Sequence, residues 1–106
     1  SAEDKQRSRL ILMTYKLVFK QDAQKEWRKL DDTVRLQFKK KLQERLLNPR
    51  VEAARLSGMK DCYKIKLRSA GYRLVYEVRD QEIVVSVVAV GKRSKNQVYK
   101  IAAKRI

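Results

Sequence analysis

Residues 61–78 read DCYKIKLRSAGYRLVYEV, two strand-like runs around Ala70-Gly71, a pair that suits a tight hairpin turn. Strand side chains alternate between faces. Tyr63, Ile65 and Leu67 therefore form a core-facing row, and Cys62, Lys64, Lys66 and Arg68 form the opposite one. On the return run Tyr72, Leu74, Tyr76 and Val78 share one face, and Arg73, Val75, Glu77 and Arg79 share the other. A two-residue loop predicts pairing of Arg68 with Arg73 and of Lys66 with Val75, with Glu77 opposite Lys64 as the only acid on that face. Lys64, Lys66, Arg68 and Arg73 are thereby crowded together. Like charges at this spacing are destabilising, so the row points to a polyanionic partner and, at close quarters, to chemistry on it.

The rest of the chain repeats this bias. Its 106 residues hold 27 Lys and Arg against 12 Asp and Glu, a net charge of +15. Such an excess implies nucleic acid, an acidic protein, or both as partners. The length allows one domain with a modest core. The longest apolar runs, such as 83–90, are too short to span a bilayer, so no membrane is expected. There is no histidine, and Cys62 is the only cysteine, a usage that fits a reducing, cytoplasmic setting. Without histidine the commonest acid–base group and metal ligand are missing. Chemistry falls to Lys, Arg, Tyr or carboxylates, with no metal or cofactor expected.

Residues 1–12 read as an extension, with Met13 as a natural start and 13–106 as the domain. Tyr15, Leu17 and Phe19 alternate with Lys16, Val18 and Lys20 as a first strand. Asp22 is expected to cap a helix through Leu30, with Ala23, Trp27 and Leu30 on one face. Asp31-Asp32-Thr33 breaks it and caps a second helix to about Leu47, with the stripe Val34, Phe38, Leu42 and Leu46; Asn48-Pro49 stops it. The other face of this helix carries Arg35, Lys39, Lys40, Lys41 and Arg45. These are either solvated and paired with Glu44 and Asp31, or they hold phosphate. Arg55 leads toward the hairpin, and Asp80-Gln81 forms a second turn. The run 83–90 is apolar on both faces, as in a central strand covered on both sides. Gly91 ends it, Lys92 and Arg93 emerge, and 94–105 read as a helix capped by Ser94 with Val98, Ile101 and Ala102 inward. Tyr99, within reach of Arg93, either packs or stacks on a base.

Cleaving RNA without metal requires a base for the ribose 2′-OH, cations for the phosphorane charge, and an acid for the leaving 5′-oxygen. Lys66 can be the base only if its pKa falls from about 10.4 toward neutrality. A cation ~5 Å away at an effective dielectric of ~20 disfavours the protonated form by ~3 kcal/mol. Lys64, Arg68 and Arg73 are such neighbours. A cationic strand face is nonetheless more often a binding surface than a catalytic one, and the residues alone leave both open.

Four segments carry a resemblance: KEWRKL (25–30), FKKKLQERLLNPR (38–50), LSGMKDCYKIKLRSAGYRLVYEV (56–78) and VGKRSKNQVY (90–99). In unbroken order they resemble the RelE family of bacterial toxins, over nearly everything from 15 to 105. The resemblance implies an α+β fold in which an antiparallel sheet of about four strands carries two N-terminal helices and a C-terminal helix. It also implies the toxin of a type II toxin–antitoxin system, a ribosome-dependent endoribonuclease that cuts mRNA in the 30S A site and stops translation. Carried over, Lys66 matches the general base, Arg93 the general acid, Lys64 and Arg73 the phosphate stabilisers, and Tyr99 a residue that orients substrate by stacking. Arg68, Arg55, Lys92, Lys40 and Lys41 are the further candidates for RNA contact. A RelB-like antitoxin is the implied partner, wrapping the cationic surface, displacing the C-terminal helix and joining the complex to operator DNA. Ser57 departs from the family, whose members often carry a basic residue before Gly58. Two rivals remain: a ParE-like toxin that binds gyrase and lacks the lysine pair, and a non-catalytic RNA- or ribosome-binding protein.

Overall fold

Tyr63, Ile65, Leu67, Leu74, Tyr76 and Val78 do share one face, and it is buried. A computed structural model describes residues 14–94 and 96–106; the extension 1–12 and the Met13 start lie outside the described residues. The elements run β1 (Lys16–Phe19), α1 (Gln21–Arg28), α2 (Asp32–Leu47), a 3-10 turn (Glu52–Ala54), β2 (Cys62–Leu67), β3 (Tyr72–Arg79), β4 (Val84–Lys92) and α3 (Gln97–Arg105). Among the described residues no helix is long and apolar enough to cross a membrane.

The sheet order is β1-β4-β3-β2. β2, β3 and β4 form an antiparallel meander, but β1 pairs with β4 in parallel, Leu17 opposite Val85 and Phe19 opposite Val87. The sheet is therefore mixed, a correction to the antiparallel expectation. Two helices and a hairpin separate β1 from β4, a connection long enough for a parallel return.

One face of the sheet packs α1 and α2 through Ala23, Val34, Phe38 and Leu42, with Leu30 from the link between them, since α1 ends at Arg28 rather than Leu30, and with Trp27 and Leu46 at the margin. The four-residue spacing of the α2 stripe aims it at the sheet, and each large side chain buried there contributes roughly 1.5–3 kcal/mol. Trp27 bridges Phe19 and Phe38 at 5.1 and 6.3 Å between ring centroids. The other face packs α3, with Val98 and Ala102 against Cys62, Val75, Val88 and Ala89. β4 is thus covered on both sides, as its apolar run implies.

Several local expectations are corrected. The hairpin turn spans four residues, 68–71, not two, so Lys66 pairs with Arg73, Lys64 with Val75 and Cys62 with Glu77. The slip is an even number of positions, so every side chain keeps its predicted face. The second turn spans 80–83; Ile83 sits there at φ 54, half exposed, rather than in the strand. Gly91 lies inside β4, opposite Arg73, where an added Cβ would press to 3.2 Å from Val98 Cγ2. A bulge leaves Val88 unpaired between the Val75–Ala89 and Tyr76–Val87 pairs, which turns both Val88 and Ala89 toward α3. Asp22 lies in the first turn of α1, whose cap position is Lys20. α3 starts at Gln97 after Asn96, at φ 60, instead of after Ser94; asparagine tolerates this left-handed geometry better than most residues.

Candidate active site

The four-residue turn after β2 puts Arg68 at the strand end, and Gly71 makes the reversal possible at φ 72. The Gly71 carbonyl accepts from the Arg93 N–H at 2.7 Å, docking the end of β4 against the turn. That bond brings Arg93, 20 or more residues away in sequence from the other cations, to the cleft. The result is a hollow of 270 Å³ lined by Lys66, Leu67, Arg68, Tyr72, Arg73 and Arg93. Sequence order separates these residues; strand pairing assembles them.

Acids are spent elsewhere. Arg50 binds Asp61 and Asp80 at 2.9 and 2.6 Å, Arg79 binds Glu77 and Glu82, Arg105 binds Glu26, Arg55 meets Glu52, and Arg35 pairs with Asp32. Among the described residues no carboxylate pairs with Lys64, Lys66, Arg68, Arg73 or Arg93. Glu77, expected opposite Lys64, faces Cys62 and holds Arg79 at 3.1 Å. The cationic row is left uncompensated, and the consequence falls on Lys66. Its ammonium is held below the usual lysine pKa, first by Lys64, then by desolvation, then by Arg73, Arg68 and Arg93. Like charges favour the neutral amine, the form a base requires.

Arg73 is fixed from α3. Its Nη1 donates to Asn96 Oδ1 at 2.9 Å, and its guanidinium lies 5.1 Å from the Tyr99 ring centroid. The Tyr99 hydroxyl is buried and has no hydrogen-bond partner among the described residues, and burial raises its pKa against the opposing pull of Arg73. In this state Tyr99 packs beneath an arginine. Nothing in the sequence marked Asn96 as a partner for Arg73. Arg45, read as part of a helical charged face, instead donates to Tyr76 Oη at 2.8 Å and to the Lys64 carbonyl at 3.2 Å, bracing the strand beneath the lysine pair. Cys62 is fully buried, and burial first, then Glu77 and Asp61, push its thiol up to about 11. Such a thiol is not a nucleophile at neutral pH.

The remaining candidates divide. Lys40 and Lys41 line a larger hollow of 560 Å³ that shares Lys66, Leu67 and Arg68 with the first. Neither Glu44 nor Asp31 makes an ion pair among the described residues. Arg55 lies over the Tyr63 ring at 5.9 Å and meets Glu52, and Lys92 lines a separate hollow with Glu26 and Ile101. The structure does not bring Arg55 or Lys92 to the cleft.

A family model described as the ParE toxin of the type II toxin–antitoxin system parDE matches residues 17–97. The mRNA interferase toxin RelE of Escherichia coli strain K12 is 62% identical over 94 residues, 89% of this chain and 99% of that protein. An arginine-to-alanine double mutant of E. coli RelE in the free state superimposes with a TM-score of 0.82 at 60% identity, covering 88% of this chain and 98% of the other. RelE in the intact E. coli RelBE toxin–antitoxin complex superimposes with a TM-score of 0.74 at 62% identity, covering 76% and 99%. Fold, cleft and these likenesses agree: the chain belongs to the RelE family of the RelE/ParE toxin superfamily.

Proposed function

We propose that this chain is the toxin of a type II toxin–antitoxin pair, an mRNA interferase that cuts messages in the ribosomal A site and stops translation. The observation that carries the reading is the 270 Å³ cleft in which four cations meet without a carboxylate. A phosphate entering it would meet Arg68, Arg73 and Arg93 around a lysine already biased toward the neutral amine.

Neutral Lys66 takes the proton of the ribose 2′-OH, and the freed oxygen attacks the adjacent phosphorus. Lys64 and Arg73 hold the charge that builds on the non-bridging oxygens. As the bond to the 5′-oxygen breaks, Arg93 gives that oxygen a proton. The products are a 2′,3′-cyclic phosphate on the upstream fragment and a 5′-hydroxyl on the downstream one. Lys66 and Arg93 end in exchanged protonation states and recover through solvent. No step calls for a metal or cofactor. Tyr99 orients the site, through Arg73 in the free protein and by stacking once RNA enters.

A cleft of 270 Å³ on a 106-residue chain holds little of a flexible strand, which supports the ribosome as the element that presents the message. The net charge of +15 suits ribosomal RNA, with Arg55 and Lys92 as contacts outside the cleft, and equally an acidic antitoxin segment. The RelBE complex of the E. coli relative supports a RelB-like antitoxin as partner. A segment that displaced α3 would take Asn96 and Tyr99 from Arg73 and so undo the site. Operator DNA would be reached through the antitoxin, and the ribosomal substrate makes the cytoplasm the place of action.

Primer extension on mRNA translated by purified ribosomes tests the reading. New ends within the A-site codon are expected when the protein is added. Absence of new ends together with inhibition of gyrase supercoiling would overturn it in favour of the gyrase-binding branch.

A further inference from the structure

Beyond Phe19, whose partner is Val87, β1 leaves β4, and the outer edge of β4 continues without a neighbouring strand. Two side chains cover the backbone there. The Val90 N–H donates to Glu26 Oε1 at 3.1 Å, and Arg105 Nη1 donates to the carbonyl of the bulged Val88 at 2.9 Å. Glu26 and Arg105 also meet each other, Nη1 to Oε1 and Nη2 to Oε2, both at 2.9 Å. Lys20 Nζ donates to the Arg105 carbonyl at 3.2 Å. These bonds form a closed clasp between α1, the edge of β4 and the last residue of α3.

The clasp is not a solvated surface pair. The Arg105 and Glu26 side chains are 20% and 27% exposed, and two parallel bonds between guanidinium and carboxylate are the strong form of the contact. Removing either partner strips the other's charge, and a backbone group of β4, of its bond.

α3 needs such a hold. It has nine residues, of which Val98 and Ala102 alone are buried, and a helix this short is marginal by itself. Its first turn adds little. Asn96 stands at the cap position, yet its side chain makes no capping bond among the described residues. Its Oδ1 accepts from Arg73 instead. An asparagine that would ordinarily satisfy the N–H groups of its own helix is turned toward the arginine of the cleft. The helix is loosely held at the end that serves the site and clasped at the end that does not.

We infer that Glu26 and Arg105 are positioning residues for RNA cleavage: the clasp seats α3, and seated α3 presents Asn96 and Tyr99 to Arg73. The inference rests on the ribonuclease reading and gives that site a support outside the cleft. Arg105 lies nine residues along the chain from Asn96, about 13 Å by the rise of an α-helix. Residues that far apart with no shared partner ordinarily act independently. Coupling between them reports the helix that joins them.

The test is steady-state cleavage of ribosome-bound mRNA by full-length variants, each with its melting temperature. Arg105→Ala is expected to lower kcat about tenfold with KM within about twofold, since transition-state alignment is lost rather than binding. Glu26→Gln keeps an acceptor for Val90 but loses the charge, and should lower kcat about threefold. Where Asn96→Ala and Tyr99→Ala have already freed Arg73 from α3, Arg105→Ala should cost less than about twofold more. Arg50→Ala breaks a comparable network with Asp61 and Asp80, beyond the end of β3 remote from Arg73. It should lower the melting temperature with kcat unchanged. A folded Arg105→Ala chain that cleaves at the parent kcat, or an Arg50→Ala chain that loses kcat equally, would overturn the positioning role and leave the nuclease reading standing. An undiminished loss in the Asn96→Ala/Tyr99→Ala background would overturn it as well. No cleavage by the intact chain would instead remove the nuclease reading, and the role of the clasp with it.

Discussion

Lys66→Ala is expected to slow cleavage of ribosome-bound mRNA by about 10²–10⁴-fold, the range for losing a positioned general base. The cause is specific to this lysine. Lys64 is the largest influence depressing its pKa, followed by desolvation and then Arg73, Arg68 and Arg93. A base with a depressed pKa gives a rate that rises with pH until the amine is neutral, then levels. Lys64→Met removes the largest depressing influence, so the rising limb should move to higher pH as well as fall in height. The same charge crowding has a stability consequence. A lysine whose folded pKa lies below its unfolded one is penalised when protonated, and the penalty is relieved as pH rises through the folded pKa. At neutral pH Lys66→Ala should therefore melt no lower than the parent chain, while its cleavage is lost. A variant that melted normally and still cut at the parent rate would remove Lys66 from the mechanism.

Arg73→Ala should cost about 10²–10³-fold in cleavage, the loss of a donor aimed at transition-state charge. Arg73→Lys should recover little. The planar guanidinium reaches Asn96 at 2.9 Å while lying 5.1 Å from the Tyr99 ring centroid, and an ammonium cannot do both. Asn96→Ala loosens the arginine without removing it, so it should lower kcat by about tenfold with KM little changed, as for a lost transition-state contact. Tyr99→Phe separates ring from hydroxyl. Removing a buried hydroxyl that has no partner among the described residues should stabilise the fold by about 1 kcal/mol, since its desolvation is uncompensated, and cleavage should persist. Loss of cleavage in Tyr99→Phe would mean that the hydroxyl takes part in the chemistry.

Side-chain alternation in residues 61–78 was enough to identify the cationic face, because a register error of an even number of residues leaves faces unchanged. It could not identify the partner of each residue. Turn length decides that, and Arg68-Ser69-Ala70-Gly71 resembles a two-residue turn with flanking strand until the backbone closes it at Gly71. The parallel pairing of β1 was hidden for a related reason: periodicity reports which face is buried, not which strand lies alongside. The bulge at Val88 was hidden because both faces of β4 are apolar, so a change in parity alters no pattern. Arg93 and Tyr99 came into view from their place after the last strand and took their roles from the family resemblance, and the Arg93 to Gly71 hydrogen bond supplies the physical reason for Arg93's place. The roles of Asn96 and Arg45 were illegible, since both act through long-range contacts that local sequence does not encode.

The most direct test of the central claim, metal-free transfer from the 2′-oxygen driven by Lys66 and Arg93, is the chemistry of the upstream fragment's 3′ end. Fragments released from ribosomes within the first turnovers should carry a 2′,3′-cyclic phosphate, resistant to direct ligation and converted to a ligatable end by a phosphatase that opens the ring. A free 3′-hydroxyl on those fragments would mean that water, not the ribose, attacks the phosphorus. The roles given to Lys66 and Arg93 would then be wrong.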